Sequence, residues 1–184
     1  MRSAGVPDEI ERILLDEATL ARRIGELAAQ ISADYRGREL VLLATLKGAV
    51  VFLADLMRAL ELPVCVEFAR ASSYGDATSS SGQVLLGLES CGDLRGKDVL
   101  VLEDIIDTGR TLSCLLREIE NMGPASLRTC CLLDKPSRRL VELRPDYVGF
   151  EIPDLFVVGF GLDFAQRFRN LPVVAVLRPE AYQN

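Results

Sequence analysis

The sequence predicts an α/β fold: a doubly wound, mainly parallel sheet flanked by helices, with a small strand-rich hood. First, strand-like apolar runs alternate with helical segments up to about residue 134. Second, runs such as Leu40–Leu46 are continuously apolar, as in strands that are covered on both faces. Third, the last fifty residues hold three strand candidates and no long helical pattern, which indicates an appendage over one end of the sheet.

The individual elements follow from apolar spacing. Ile13–Leu15 is a short apolar run, and residues 16–35 carry an apolar stripe at helical spacing, which predicts a helix. Leu40–Leu46 should be the next strand, Gly48–Leu60 the helix after it, and Pro63–Arg70 a further strand. Beyond residue 83 the same criteria predict strands at Val84–Leu88 and Asp98–Leu102, a helix at Thr111–Met122, and strands at Ser126–Leu133, Tyr147–Phe150, Phe156–Phe160 and Val173–Leu177.

Residues 71–83 have the composition of a loop. Six of these thirteen residues are serine or threonine and two are glycine, so the segment has too little apolar surface to pack. Two interpretations are open: the tip of a surface hairpin, or a lid over an active site.

Charge and composition exclude several classes of function. The net charge is −6, with 27 acidic against 21 basic side chains. General nucleic-acid binding requires a basic face, so we expect no nucleic-acid partner. The chain has no histidine, which excludes Ser-His-Asp and Cys-His catalysis and any His-ligated metal. Acid–base chemistry must therefore come from carboxylates, lysine, tyrosine or the substrate.

Cysteine usage and hydropathy indicate a cytoplasmic protein without a membrane partner. The five cysteines are scattered and never spaced C-x-x-C, which is typical of reduced thiols rather than of a disulfide framework or a zinc site. The N-terminus has no apolar signal core. The most apolar window, Leu40–Met57, is interrupted by Lys47 and Asp55 and falls short of a membrane span.

The most informative segment is Val99–Leu112, VLVLEDIIDTGRTL. It places Glu103 and Asp104 at the carboxyl end of a predicted strand, where open α/β sheets bind ligands. Asp107–Thr111 supplies a glycine, two hydroxyls and a cation at the start of the next helix, which suits a phosphate. A divalent cation such as Mg²⁺, or sugar hydroxyls, would reconcile the acids with a phosphate. Taken alone, the segment predicts a phosphorylated sugar with a metal.

Two shorter patterns point elsewhere but fail on context. The Asp-Thr-Gly tripeptide at 107–109 is also that of aspartic proteases, which need a second copy in an all-β protein. Here a helical segment follows a single copy. Gly96-Lys97 resembles the end of a P-loop, yet Asp98 stands where serine or threonine is required and a strand follows.

Val99–Leu112 resembles the phosphoribosyl-pyrophosphate-binding signature of type I phosphoribosyltransferases, two acids followed by D-[TS]-G-x-T. The resemblance covers about residues 10–180. It implies a single phosphoribosyltransferase domain over 1–184, with a core over about 36–134 and a hood formed by about 135–184 and the N-terminal residues 1–20. Four further segments match the hypoxanthine-guanine branch of that family in order and spacing: Leu46–Ala49, Ser73–Gly75, Asp134–Pro136 and 152–172.

The resemblance implies that five consecutive residues bind the 5-phosphate: Asp107, Thr108, Gly109, Arg110 and Thr111. Backbone N–H groups and the threonine hydroxyls would make the contacts. Asp107 would also be the catalytic residue, as a general base or hydrogen-bond partner at purine N7. Because an aspartate is a weak base toward a ground-state purine, orientation and electrostatic stabilisation would dominate its effect.

The resemblance also implies the sugar, pyrophosphate and metal contacts. Glu103 and Asp104 would accept hydrogen bonds from the ribose hydroxyls, directly or through metal-bound water. The residues that would bind the leaving pyrophosphate are Lys47, Gly48 and Arg169. Mg²⁺ is the implied cofactor, and its ligands would be Glu103, Asp104 and, opposite the pyrophosphate, Asp163.

The residues that the resemblance assigns to the purine are Lys135, Phe156, Val157 and Asp163. Lys135 would donate to O6, which selects 6-oxopurines over adenine because adenine cannot accept that bond. Phe156 would stack on the base, and the backbone of Val157 would contact its edge. Ser73 and Tyr74 would belong to a lid that excludes water while the ribose carries oxocarbenium character.

The implied activity is purine salvage. Phosphoribose would pass from 5-phosphoribosyl 1-pyrophosphate to hypoxanthine or guanine, giving IMP or GMP and pyrophosphate, in a homodimer or homotetramer. Three alternatives stay open: a xanthine-preferring relative, an RNA-binding regulator with the same fold, and a sugar-phosphate hydrolase that uses the acids and Mg²⁺. Phe164-Ala165-Gln166 departs from the usual pattern after Asp163 and leaves the preferred purine open.

Overall fold

The computed structural model describes residues 7–73, 84–88 and 91–182. In chain order the elements are β1 (Ile10–Leu15), α1 (Glu17–Asp34), β2 (Leu40–Leu46), α2 (Val50–Ala59), β3 (Val64–Ser73), β4 (Val84–Gly87), β5 (Asp98–Ile106), α3 (Arg110–Asn121), β6 (Ser126–Asp134), β7 (Tyr147–Glu151), β8 (Val157–Val158) and β9 (Val174–Leu177). Single 3₁₀ turns follow β6 at Pro136–Arg138 and β9 at Pro179–Ala181.

Six of these strands form the large central sheet, in the order β4-β3-β2-β5-β6-β7. Five of them are parallel to one another: β3, β2, β5, β6 and β7. The sixth, β4, pairs antiparallel with β3. The carboxyl ends of β2, β5 and β6 therefore lie side by side at one edge, which is where α/β sheets bind ligands.

Helices cover both faces of this sheet, as the continuously apolar strands require. α1 and α2 pack on one face against Leu42 and Leu100, and α3 packs on the other face against Leu43 and Val101. Because adjacent residues of a strand point to opposite faces, both faces of β2 and β5 are buried. This arrangement confirms the predicted doubly wound fold class.

A three-stranded antiparallel sheet, β1-β9-β8, forms the hood. β1 pairs with β9 from Ile10↔Leu177 to Leu15↔Val174, so the N-terminal and C-terminal parts of the described chain meet here. A small apolar core of its own stabilises the hood, and its buried members are Ile10, Val158, Phe168, Ala175 and Leu177.

Four boundaries differ from those expected from the sequence. β5 stays paired with β6 as far as Ile106↔Asp134, so the acids at 103 and 104 lie within the strand rather than after it. β7 pairs with β6 in the large sheet and is not part of the hood, contrary to the boundary expected at about residue 135. β3 continues through residues 71–73, which were expected to belong to a loop, because it pairs with β4. β8 is limited to Val157–Val158 because the chain turns at Gly159.

Arg23 on α1 stabilises the edge strand β7. Its Nε donates to the Gly149 carbonyl at 2.9 Å and its Nη2 to the Val148 carbonyl at 2.7 Å. We expect Arg23→Met to lower the free energy of unfolding in urea by about 1.5–3 kcal/mol, because two charged donors to backbone carbonyls are lost.

Arg22→Met is the matched control. Arg22 lies on the exposed side of the same helix and its guanidinium pairs with Glu26. This variant should leave the urea midpoint nearly unchanged, since exposed ion pairs contribute little. Equal losses in the two variants would contradict the role of the carbonyl contacts.

Candidate active site

A pocket of about 280 Å³ opens at the carboxyl ends of β2 and β5. One side of it is formed by the last residues of β2, and the other by the end of β5 and the start of α3. The lining residues are Thr45, Leu46, Glu103, Asp104, Ile105, Ile106, Asp107, Thr108, Gly109, Thr111 and Leu112. The acid pair and most of the predicted phosphate-binding residues therefore line one cavity.

The acid pair is partly buried and short of positive charge. Thr45 Oγ1 donates to Glu103 Oε2 at 2.6 Å, and desolvation together with the Asp104 carboxylate raises the pKa of Glu103 to about 8. Desolvation also raises the pKa of Asp104 to about 6, against a 2.8 Å hydrogen bond from the Ile105 N–H and the charge of Arg169. A bound cation would favour the charged forms of both groups.

The segment predicted to bind phosphate, residues 107–111 and named the phosphate-binding loop after that prediction, leads into the N-terminus of α3. Gly109 is the N-cap residue with a φ of +79°, and no side chain caps the helix there. A Cβ at Gly109 would lie 2.9 Å from Val141 Cγ2, so both the backbone conformation and the space call for glycine. Thr108 Oγ1 accepts from the Arg110 N–H at 3.4 Å. The positive end of the helix dipole thus lies at the pocket that Thr108, Gly109 and Thr111 line.

Glycines bring the end of β2 against both the acid pair and the hood. A Cβ at Gly48 would lie 1.6 Å from Asp104 Oδ2, and a Cβ at Gly161 would lie 2.1 Å from the Gly48 carbonyl oxygen. The peptide bond between Leu46 and Lys47 is cis. Lys47 is exposed, and its Nζ donates to Gln166 Oε1 at 3.3 Å. The Leu46–Gly48 segment therefore contacts β5 and the hood at once.

Arg169 and Asp163 face each other across the hood loop, which is the segment between β8 and β9, residues 159–173. The two side chains are ion-paired at 2.7 Å, and Arg169 also donates to the Gly161 carbonyl at 2.7 Å. Asp163 Oδ2 accepts from the Gln166 N–H at 2.8 Å. These contacts fix one cation and one carboxylate on the loop that Gly161 brings against Gly48.

A second pocket, of about 310 Å³, adjoins the first. Its lining residues are Asp104, Ile105, Asp107, Lys135, Phe156, Val157, Leu162 and Asp163. Asp104, Ile105 and Asp107 line both cavities. All four residues that the family resemblance assigned to the purine thus line one pocket. This pocket shares three lining residues with the pocket at the phosphate-binding loop.

Lys135 and Asp107 are joined by a chain of alternating charges that the sequence did not indicate. Lys135, buried at the end of β6, has its Nζ 3.4 Å from Asp154 Oδ1, and Asp154 Oδ2 lies 3.7 Å from Arg138. Arg138 Nε in turn donates to Asp107 Oδ1 at 3.0 Å. Asp154 precedes Phe156 by two residues, and that proximity is the signal that could have drawn attention to it.

Arg139 is a second functional candidate that sequence reasoning missed. Its side chain is ion-paired with the buried Asp134 and donates to the Asp107 carbonyl at 2.8 Å. The Leu140 N–H donates to the Thr108 carbonyl at 3.0 Å. The segment after β6 therefore contacts the backbone of the phosphate-binding loop. Of the two consecutive arginines, Arg139 has the largely buried side chain and Arg138 the exposed one.

Two predicted lid residues cannot be placed in the site. Ser73 is the last residue of β3, and its backbone pairs with Val84. Tyr74 lies outside the described residues, as does the rest of the segment through residue 83. The lid stays a prediction.

The acid residues fit Mg²⁺ only in combination with a substrate. Within residues 7–73, 84–88 and 91–182, no group of three or more Cys, Asp or Glu side chains is arranged to hold a metal by itself. Mg²⁺ in phosphate-processing sites takes one or two carboxylates together with waters and substrate phosphates. Glu103 and Asp104 offer this donor chemistry in the pocket, and their raised pKa values mark the deficit of positive charge that a cation would relieve.

The fold and the site together define a class. A family model of the phosphoribosyl transferase domain matches residues 12–165. The chain belongs to the phosphoribosyltransferase family, which confirms the resemblance seen in its motifs. It is therefore a transferase.

Within the family, several similar proteins bear the names of hypoxanthine or hypoxanthine-guanine enzymes. The hypoxanthine-guanine phosphoribosyltransferase of Mycobacterium avium is 45% identical over 183 residues, covering 96% of this chain and 90% of the relative. A crystal structure of that enzyme from Bacillus anthracis has a TM-score of 0.86 and 45% identity, over 92% of this chain and 99% of the other. The hypoxanthine phosphoribosyltransferase of Staphylococcus aureus has a TM-score of 0.91 and 38% identity, over 96% of both chains.

The close approach of Gly48 to Asp104 provides a test of the site. We expect Gly48→Ala to lower kcat/KM for phosphoribosyl transfer by about 100-fold, because the new methyl group displaces the Asp104 carboxylate by an ångström or more. Steady-state kinetics and a thermal melt on the same preparation separate this effect from unfolding.

Gly25→Ala is the matched control. Gly25 lies in α1, and a Cβ there would meet nothing within 4 Å. Full activity with a stability gain of about 0.5–1 kcal/mol is expected for this variant. Unchanged kcat/KM in Gly48→Ala would refute the packing role of Gly48.

Proposed function

We propose that this chain is a purine-salvage enzyme that transfers phosphoribose from 5-phosphoribosyl 1-pyrophosphate to hypoxanthine or guanine, giving IMP or GMP and pyrophosphate. The observation that carries the proposal is the pair of adjoining pockets that share Asp104, Ile105 and Asp107. One pocket has the donors for a phosphorylated sugar and the other has the groups for a flat 6-oxo base. The names of the similar proteins agree with this substrate pair.

The sugar phosphate would occupy the pocket at β5 and α3. Its 5-phosphate would accept hydrogen bonds from the N–H groups of residues 107–111 and the Thr108 and Thr111 hydroxyls. The positive φ of Gly109, which favours glycine, would turn this backbone toward the phosphate. The ribose hydroxyls would donate to Glu103 and Asp104, whose carboxylates lie in the same cavity.

The leaving pyrophosphate would lie where the end of β2 meets the hood loop. Lys47 and Arg169 would supply positive charge from these two segments, and the backbone of Gly48 would supply an N–H group. Glu103, Asp104 and Asp163 would hold Mg²⁺ together with substrate oxygens, and the bound ion would supply positive charge for the pyrophosphate.

The base would occupy the second pocket. Lys135 would donate to O6, and adenine would be rejected because its amino group leaves that buried donor unpaired. Phe156 would stack on the ring and the Val157 backbone would contact its edge. As purine N9 bonds to C1 and the C1–pyrophosphate bond breaks, the proton on N7 becomes more acidic and Asp107 would accept it or its hydrogen bond.

A transfer assay tests the proposal against its alternatives. The protein is incubated with phosphoribosyl pyrophosphate, Mg²⁺ and each of hypoxanthine, guanine, xanthine and adenine, and nucleotide products are separated chromatographically. IMP and GMP are expected, without AMP. Product from xanthine alone would indicate the xanthine-preferring relative, and release of phosphate without nucleotide would indicate a hydrolase. If no base gave a nucleotide, the enzyme proposal would fall, and a salt-dependent shift of RNA would support the regulator.

Asp107→Asn tests the catalytic assignment. The amide keeps the shape of the side chain but cannot take a proton or stabilise developing positive charge at N7. We expect kcat to fall by about 100-fold or more with little change in the KM for either substrate. An unchanged kcat would remove Asp107 from the chemistry.

Self-association would use an apolar face beside the site. α2 leaves β3 incompletely covered: Val66 and Phe68 are each 36% exposed, and Val50 and Met57 on α2 are 40% and 38% exposed. Val66 and Phe68 pair with Leu42 and Ala44 and therefore point to the face on which α2 lies. A second copy that covers this face would give a homodimer, and two such dimers would give a homotetramer.

Sedimentation equilibrium tests this interface. Phe68→Glu should shift the protein to monomer, because it places a charge in the apolar contact. Leu140→Glu, at a residue 62% exposed in the segment after β6, should leave the assembly intact. A monomeric wild type would refute the interface.

We also propose a cytoplasmic location, consistent with cysteines that carry no disulfide in the described residues. Among those residues, no helix combines the length and apolar character needed to cross a bilayer.

A further inference from the structure

The Phe156 ring is held by two other aromatic rings. It stacks on Tyr182 with the ring centres 4.5 Å apart and the planes 18° from parallel, and it makes a T-shaped contact with Phe164 at 5.6 Å and 88°. Phe156 is 37% exposed and lines the second pocket, whereas Tyr182 is not among the lining residues of that pocket. Tyr182 therefore covers one face of the Phe156 ring and leaves the pocket side open.

Backbone contacts fix Tyr182 in this place. The Leu177 N–H, at the end of β9, donates to the Phe156 carbonyl at 2.9 Å. The next residue, Arg178, donates from its backbone N–H to the Glu9 carbonyl at 2.8 Å, and the 3₁₀ turn at Pro179–Ala181 then reverses the chain. The turn places Tyr182 against the Phe156 ring, and β9 binds the backbone of the same phenylalanine. Tyr182 also packs against the apolar core of the hood.

We propose that Tyr182 is a positioning residue for the base: it fixes the plane of the Phe156 ring so that the opposite face can receive a 6-oxopurine. The inference rests on the proposed function and extends it to a residue near the C-terminus. A phenylalanine at a pocket wall can rotate about χ1, and the base would otherwise have to select one orientation on binding. With one face stacked on Tyr182 and a T-shaped contact to Phe164, the Phe156 ring is preorganised and that cost is removed.

Two substitutions separate ring positioning from packing of the hood. Tyr182→Phe keeps the stacked ring and removes only the hydroxyl, whereas Tyr182→Leu keeps apolar volume against the hood and removes the ring. For Tyr182→Leu we expect the KM for hypoxanthine and guanine to rise about threefold to tenfold, the range of an aromatic pair, with an unchanged KM for phosphoribosyl pyrophosphate. Tyr182→Phe should keep the wild-type KM values for both substrates.

Calorimetric binding gives a readout independent of turnover. GMP carries the base and ribose 5-phosphate does not, so Tyr182→Leu should weaken GMP binding by a similar factor and leave ribose 5-phosphate binding unchanged. Melting temperatures measured on the same samples report any loss of folding.

Four results would overturn the inference. Wild-type KM and GMP affinity in Tyr182→Leu would show that the stacked ring does nothing for the base. Equal weakening of GMP and ribose 5-phosphate would indicate a general structural role, and tighter purine binding would mean that Tyr182 obstructs the pocket. A wild-type enzyme that converts no purine would refute the proposed function itself, and the inference with it, which distinguishes that failure from the other three.

Discussion

The site depends on a steric constraint at the end of β2, where backbone must pass close to a carboxylate. Gly48 leaves room for Asp104 Oδ2, and Gly161 leaves room for the Gly48 carbonyl oxygen. These two contacts set the distances among three segments that are far apart in sequence: the end of β2, the end of β5 and the hood loop. A side chain at either glycine would force these segments apart, and with them Arg169 from Asp104, whose pKa the Arg169 charge lowers.

Charge is balanced differently at the acid pair and at the base pocket. In the first pocket, burial raises the pKa values of Glu103 and Asp104, and the Asp104 carboxylate raises that of Glu103 further. In the second, the alternating series Lys135, Asp154, Arg138 and Asp107 pairs each charge with an opposite one. The first pocket thus favours a ligand that brings its own cation, and the second favours a neutral base that exchanges hydrogen bonds with groups already in place.

Contiguous features of the site could be predicted from the sequence. Glu103, Asp104 and the loop to Thr111 lie within fourteen residues, and the strand-to-helix transition there is visible in the apolar pattern. Lys47, Lys135 and Arg169 are distant from that segment, so only the family resemblance connected them to it. Arg139 and Tyr182 escaped both routes, since their roles depend on a buried ion pair and a ring contact that appear only when the chain is folded. The placement of β7 in the large sheet was missed because pairing partners are not encoded in local composition.

One nucleotide should bridge the two pockets, with its phosphate at the N-terminus of α3 and its base against Phe156. A crystal structure with GMP and Mg²⁺ is the sharpest test of this arrangement. We expect the 5-phosphate within hydrogen-bond distance of the backbone at 107–111, and guanine O6 within reach of Lys135 Nζ. A nucleotide bound with its phosphate at Lys47 and Arg169, or with its base away from Lys135 and Phe156, would contradict it.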